Sequence, residues 1–275
     1  MKDITIIIPI HKLEEKEVSL LDKAIESVAA AKREYTFGKL HTLVVTTEDC
    51  EIVKKYVESI KDKDCQILIN TGDTDFCSQI NFAVDSVKTD FFSILEFDDE
   101  YTPKWFKMAH DYYIGNESVS VFLPVNLFHD GDGNNWQYGN VMALSPTFIT
   151  PNINDTDEIG IINYLRLEKC SLFNLTGAIF NTKDFISVGK FKPSIKVAFN
   201  YEYLLRLTKK NLKAMVVPKE GYIHAIGREG SLTSEYLLNI SEEDREKWFA
   251  LAHRECIYDE DRKKDISTVK PVDLK

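Results

Sequence analysis

Phe91-Phe92-Ser93-Ile94-Leu95-Glu96-Phe97-Asp98-Asp99-Glu100-Tyr101-Thr102-Pro103-Lys104-Trp105 is the stretch whose reading decides the fold. Phe91 to Phe97 is mostly apolar and reads as a buried strand, which runs straight into the acids Glu96, Asp98, Asp99 and Glu100. Like charges a few ångströms apart raise one another's pKa values unless a cation or hydrogen-bond donors compensate. Carboxylate oxygens are hard ligands, so the fitting cation is Mn2+ or Mg2+. Taken alone, the same residues also fit a solvated acidic turn. Thr102 as N-cap and Pro103 at the first helical position predict a helix immediately afterwards.

The chain before this stretch shows what surrounds it. Ile4 to Ile10 is a nearly continuous β-branched run, the pattern of a strand buried on both faces. Val18 to Val28 keeps helical spacing of its apolar residues, and Leu40 to Val45 is a second strand. Glu51 to Lys61 predicts a helix, Cys65 to Asn70 a strand, and Ser78 to Val87 another helix. Alternating strands and helices predict an α/β fold, a mainly parallel central sheet flanked by helices and joined by right-handed crossovers. Ligands of such sheets bind outside the carboxyl ends of the strands. Glu96, Asp98 and Asp99 fall at one of those ends.

Beyond the stretch, a helix is expected from Pro103 to Ile114 and a strand from Val119 to Val125. Asp130 to Asn135 has the look of a calcium loop but lacks its sixth-position glycine, and Val141 stands where the bidentate Glu belongs, so a tight polar turn is expected. A strand follows from Phe173 to Asn181, then a Thr182-capped helix ending at Gly189, a helix from Ala198 to Lys210, and a strand from Ala214 to Pro218. Ser241 opens a last amphipathic helix running to about Cys256. The organisation is a first half over 1–125, a mixed second half of the same domain over 126–240, and a helix and tail over 241–275.

Composition narrows the function classes. A net charge of −10 with no basic stripe argues against a nucleic-acid partner, whose affinity comes mostly from neutralised phosphates. No apolar run approaches the ~20 residues that span a bilayer, and the first strand begins too early for a signal peptide, so a cytoplasmic protein (or one of a host cytoplasm, if viral) is expected. Five scattered cysteines without a Cys-x-x-Cys pair suggest neither a disulfide framework nor a zinc site.

Several segments, in order, resemble family-2-type glycosyltransferases. Ile6-Ile7-Ile8-Pro9, Asn70-x-Gly72 with Asn81, and Leu95-Glu96-Phe97-Asp98-Asp99-Glu100 with Pro103 and Trp105 are similar to the N-terminal half of those enzymes. Thr176-Gly177-Ala178-Ile179-Phe180 with Val188-Gly189-Lys190-Phe191 is similar to their acceptor-side strand and following turn. Glu202 to Leu207 resembles the helix that follows the catalytic acid, and Val216-Val217-Pro218, Tyr222, His224 and Ser231-Leu232-Thr233 the closing segment.

The resemblance, over roughly residues 3–235, implies a nucleotide-sugar-binding α/β fold and transfer of a sugar from a nucleotide-diphosphate donor to an unknown acceptor hydroxyl. It implies divalent-metal dependence and an inverting reaction. Metal ligands would be Asp98 first, then Asp99 and Glu96, with His224 either a further ligand or a satisfied histidine at a strand end. Donor contacts would come from Pro9, Ile10, His11, Glu48, Asn70, Gly72, Asn81 and Glu96, with Arg228 a cation for the diphosphate and Lys192, Lys196 and Lys219 alternatives to it. Trp105, Trp136 and Tyr138 are candidates to stack on sugar faces. Four positions depart from the family pattern. Glu96 replaces the first Asp of the metal motif, Thr46-Thr47 stand where an acidic pair is usual, and Ile80 takes the place of an Arg. The catalytic-base position falls on Asn200, whose amide cannot accept a proton as a base. Glu202 is the remaining candidate base, and it equally suits an i,i+4 pair with Arg206. The alternative reading is a transferase-like binding or structural module that has lost its chemistry.

Overall fold

The computed structural model describes residues 1–60, 64–130, 135–145, 159–226 and 240–257. In chain order the strands are β1 (Ile4–Ile10), β2 (Leu40–Thr47), β3 (Cys65–Asn70), β4 (Phe91–Ile94), β5 (Glu100–Tyr101), β6 (Val119–Asp130), β7 (Trp136–Gly139), β8 (Ile161–Ile162), β9 (Ile179–Asn181) and β10 (Lys213–Ile226). The helices are α1 (Val18–Glu34), α2 (Glu51–Ser59), α3 (Phe76–Val84), α4 (Trp105–Tyr113), α5 (Tyr164–Lys169), α6 (Thr182–Val188), α7 (Phe199–Lys209) and α8 (Glu242–Ile257).

Every residue of β1 is buried, because side chains alternate between two covered faces. Ile7 enters the core shared with α3, α6 and α7, while Ile4, Ile6, Ile8 and Ile10 enter the one shared with α1, α2 and α4. β3, β2, β1 and β4 lie side by side in that order, all parallel. Past β4 the sheet becomes mixed. β9 runs antiparallel to both β4 and β6, β10 is parallel to β6, and β5 pairs antiparallel with β10 at the edge. The parallel half and the mixed half expected from the sequence therefore share one sheet. β6 runs through residue 125, so the halves expected over 1–125 and 126–240 meet within a strand.

Four local expectations are corrected. The strand over 91–97 ends at Ile94, and the acids occupy a turn closed by the Asp99 amide donating to the Glu96 carbonyl at 3.1 Å. Thr102 does not cap a helix; its hydroxyl donates to the Glu220 carbonyl at 2.7 Å, and α4 starts two residues past Pro103. Asn181, not Thr182, caps α6, accepting from the Asp184 amide, while the Thr182 hydroxyl donates to the Thr89 carbonyl. The strand expected to stop at Pro218 continues to Ile226. Register shifts around Val216, Glu220 and Tyr222 absorb the missing Pro218 N–H as a bulge.

Candidate active site

The register brings the candidate segments to one edge of the sheet. Ile10 stands beside Thr46, Thr47 beside Asn70, and the Leu95 amide donates to the Ile7 carbonyl at 3.0 Å. The carboxyl ends of β1, β2, β3 and β4 thus align, with the Glu96–Asp99 turn just past the last of them. β10 reaches this turn from the other side. Tyr222 and His224 lie two apart on that strand and share a face.

Glu96, Asp99 and His224 each offer a ligand atom, all within 4.8 Å of one another, a grouping able to hold a metal ion. Asp99 Oδ2 lies 2.6 Å from His224 Nδ1 and accepts from the Tyr222 hydroxyl at 2.8 Å. Against an ionised carboxylate, Nδ1 is the donor. The Tyr222 hydroxyl also accepts the Glu96 amide at 3.0 Å, so one buried oxygen holds both ends of the acidic turn. Asp99 Oδ1 is buried and has no partner among the described residues. Burial pushes the Asp99 carboxyl upward, against the pull of His224, with the Asp98 charge adding to the rise. Burial alone would lower the His224 imidazole, but the Asp99 carboxylate against it, with Glu96 and Asp98 nearby, lifts it to about 9. Asp98 is therefore felt electrostatically by both groups, although the compact trio is built from Glu96, Asp99 and His224.

Two glycines make room for this arrangement. A Cβ on Gly177, at φ +73°, would sit 2.4 Å from the Tyr222 ring, and one on Gly221 would sit 2.5 Å from Trp105. Gly177 is held by its amide on the Ile94 carbonyl, while its own carbonyl accepts from Trp105 Nε1 at 2.9 Å. Trp105 is thereby a fully buried core residue and not a sugar-stacking ring. Trp136 and Tyr138 stand exposed on β7, with Trp136 against His129.

The remaining sequence candidates divide into those at the strand ends and those absorbed by the scaffold. Pro9 and Ile10 end β1, and His11 is exposed beyond them, its carbonyl accepting from Thr47 Oγ1 at 3.3 Å. Glu48 is exposed just past β2. Asn70 is buried and shapes its own turn, accepting from the Gly72 amide and donating to the Asp73 carbonyl. Asn81 spends its amide on the backbone of Phe191, donating to its carbonyl at 2.8 Å and accepting its N–H at 3.0 Å. That use pins the segment after Gly189 and does not leave the amide open to a donor. Arg228 lies outside the described residues, as do Ser231 to Thr233 and most of the polar turn after Asp130. Lys196 and Lys219 are exposed.

Glu202 is corrected from candidate base to internal ion-pair anchor. It is fully buried, with Oε1 accepting from Arg206 Nε at 2.7 Å and Oε2 from Arg206 Nη2 at 2.8 Å. Lys192 adds a third contact at 3.0 Å. Arg206 also donates to the Val188 and Lys190 carbonyls, across the left-handed turn at Gly189 and Lys190. Asn200 lies in the first turn of α7 with its Oδ1 buried and without a partner among the described residues, beside Thr176, Phe76 and Phe199 at a small cavity. The role of Tyr222 was not visible in the sequence. The signal available was its i,i+2 spacing to His224, hidden by the apparent strand stop at Pro218.

A family model for glycosyl transferase family 2 matches residues 5–175, more than half of the chain. The sequence matches none of the curated proteins. Among solved structures, the mannosyltransferase PcManGT from Pyrobaculum calidifontis, in complex with GDP-Man and Mn2+, is similar at TM-score 0.63 and 15% identity, over 93% of this chain and 64% of that one. S. aureus TarS 1-349 is similar at TM-score 0.55 and 15% identity, over 99% and 76% of the two chains. Its complex with UDP-GlcNAc gives TM-score 0.56 and 16% identity, over 98% and 76%. No helix among the described residues is long and apolar enough to cross a membrane. With a family model matching more than half of the chain and Glu96, Asp99 and His224 gathered at its strand ends, the chain belongs to glycosyl transferase family 2 and is a glycosyltransferase of the nucleotide-sugar-binding α/β fold.

Proposed function

We propose that the chain transfers a sugar from a nucleotide-diphosphate donor to an acceptor hydroxyl in the cytoplasm, with inversion at the anomeric carbon and dependence on Mn2+ or Mg2+. The observation that carries this reading is the convergence of Glu96, Asp99 and His224, with a buried Asp99 oxygen lacking a partner among the described residues. An orphaned buried acceptor is unfavourable by about 1–3 kcal/mol or more, and a cation relieves it. Two carboxylates suit Mg2+ and Mn2+, while the imidazole tilts the choice to Mn2+. The metal, when bound, supplies Lewis-acid neutralisation of charge on the leaving diphosphate.

This chain's own residues do the rest. Glu96, Asp99 and His224 would hold the cation, with Asp98 next to them in the turn. The ends of β1 and β2, through Pro9, Ile10, His11 and Glu48, flank the nucleoside, with the Asn70–Gly72 turn beside them. Asn200 stands where the family's base is expected and, as an amide, cannot take the acceptor proton. The neighbours bound to GDP-Man and to UDP-GlcNAc support a nucleotide-sugar donor without selecting between bases.

Calorimetric titration of UDP, GDP and their sugar conjugates, with Mn2+ and with EDTA, tests the reading. The expected result is binding with Mn2+ that weakens at least tenfold in EDTA, a dependence lost in Asp98→Ala. Absence of nucleotide binding under both conditions refutes it. Metal dependence unchanged in Asp98→Ala refutes the role of Asp98 alone.

A further inference from the structure

The Tyr222 hydroxyl is fully buried and makes two hydrogen bonds with opposite roles, donating to Asp99 Oδ2 and accepting from the Glu96 amide. These are the first and last residues of the acidic turn, which the Asp99-to-Glu96 backbone bond closes. The ring that carries this hydroxyl is fixed from three sides. It sits against Gly177, where no Cβ would fit, meets Tyr101 edge-on at 5.6 Å, and belongs to the strand paired with β5 at Tyr101. Asp99 Oδ2, held by Tyr222, in turn holds His224 Nδ1, and the imidazole packs edge-on against Phe128 at 5.4 Å. With Oδ2 taken by Tyr222 and His224, Oδ1, without a partner among the described residues, is the Asp99 oxygen left for a metal. A carboxylate that ligates a metal is itself hydrogen-bonded, which fixes its orientation.

We propose that Tyr222 is a positioning residue for a divalent-cation site. Through one hydroxyl it sets the Glu96 backbone and, by donating to Oδ2 beside His224, turns the Asp99 carboxylate so that Oδ1 is left for the cation, which the hydroxyl itself does not touch. This rests on the metal-dependent reading above and adds to it the residue that pre-assembles the ligands. Tyr222 comes from β10 while Glu96 and Asp99 follow β4, so the lock also joins the mixed half of the sheet to the parallel half at the site.

The test uses the full chain, wild type and Tyr222→Phe, with Mn2+ alone as the probe, read by the electron paramagnetic resonance signal of free Mn2+ and by thermal melting. Tyr222→Phe keeps the ring and removes only the hydroxyl. The expected result is Mn2+ affinity lowered about 10–100-fold, the range for lost outer-shell partners, with nucleotide-sugar turnover returning to within about threefold of wild type at saturating Mn2+. A lower melting temperature with unchanged Mn2+ affinity overturns the proposal and leaves the metal reading standing. No Mn2+ binding by the wild type overturns both. If Tyr222→Phe does not fold, amide hydrogen exchange of the metal-free wild type decides the matter. Protection of the Glu96 amide, whose partner is the Tyr222 hydroxyl, before Mn2+ is added supports the proposal, and free exchange there overturns it.

Discussion

Replacing Glu202 by Gln separates a buried ion-pair anchor from a catalytic base. The Glu202 side chain is 0% exposed, Arg206 is 13% exposed and Lys192 32%, so Arg206 is the well-buried partner and Lys192 is discounted for solvent screening. Glutamine keeps the shape but leaves the guanidinium without a counter-charge. Removing one partner of a buried pair is unfavourable by about 3–5 kcal/mol, and the partial exposure of Lys192 together with the amide's remaining hydrogen bond favours the lower end. An unfolding entropy of about 0.6 kcal/mol/K for a chain this long converts that to a melting temperature lower by about 5–8 °C. Arg206 also carries the Val188 and Lys190 carbonyls, so the Gly189 turn loosens with it. The assay is urea denaturation of Glu202→Gln, Arg206→Met and the double variant, alongside release of nucleoside diphosphate from the donor. Coupling between the two sites should be at least about 1 kcal/mol, and turnover in Glu202→Gln should stay within about tenfold of wild type below its melting range. Stability within about 0.5 kcal/mol of wild type together with abolished turnover would refute the anchor role and restore Glu202 as the base.

Three further outcomes follow from the same geometry. Gly177→Ala places a methyl 2.4 Å from the Tyr222 ring at φ +73°; left-handed strain and overpacking should together destabilise by about 2–5 kcal/mol, and a change below about 1 kcal/mol in urea denaturation would contradict the tight seat. Asn81→Ala strands the Phe191 N–H and carbonyl, so stability should fall by about 1–3 kcal/mol while calorimetry finds donor affinity within about twofold of wild type; a tenfold loss of affinity would return Asn81 to the donor site. In EDTA, the raised His224 pKa stabilises the fold fully below about pH 6.5 and is lost as pH rises through about 9, so the melting temperature should fall over that window, and an equal fall in His224→Gln would exclude His224 as the cause.

Much of the parallel half was legible because its signals are local. Ile4 to Ile10 is apolar at nearly every position, and such a run has to be covered on both faces wherever it lies. The alternation with amphipathic helices then placed Glu96 to Asp99 at a strand end. The mixed half was harder to delimit. Pro218 and Gly221 look like stops, and only pairing with β6, which tolerates a bulge there, carries the strand on to His224. Thr102 and Thr182 looked like caps by type, but their hydroxyls found backbone carbonyls distant in sequence, and tertiary contact outweighed local preference.

By itself the sequence determined the class of sheet, the acidic turn at its carboxyl edge, and the kind of ligand that hard carboxylate oxygens attract. It also showed where the acceptor side departs, at Asn200, since an amide there cannot take a proton whatever the fold. Tertiary structure alone decided which acids meet His224, that Glu202 is enclosed by Arg206 and Lys192, and that Asn81 serves the Phe191 backbone. The reason is that residue type limits what a group can donate, accept or ionise, whereas partners brought together from more than 100 positions away are chosen by strand order and register. Tyr222 shows both at once: a tyrosine can bridge a donor and an acceptor, and the sheet put Glu96 and Asp99 within its reach.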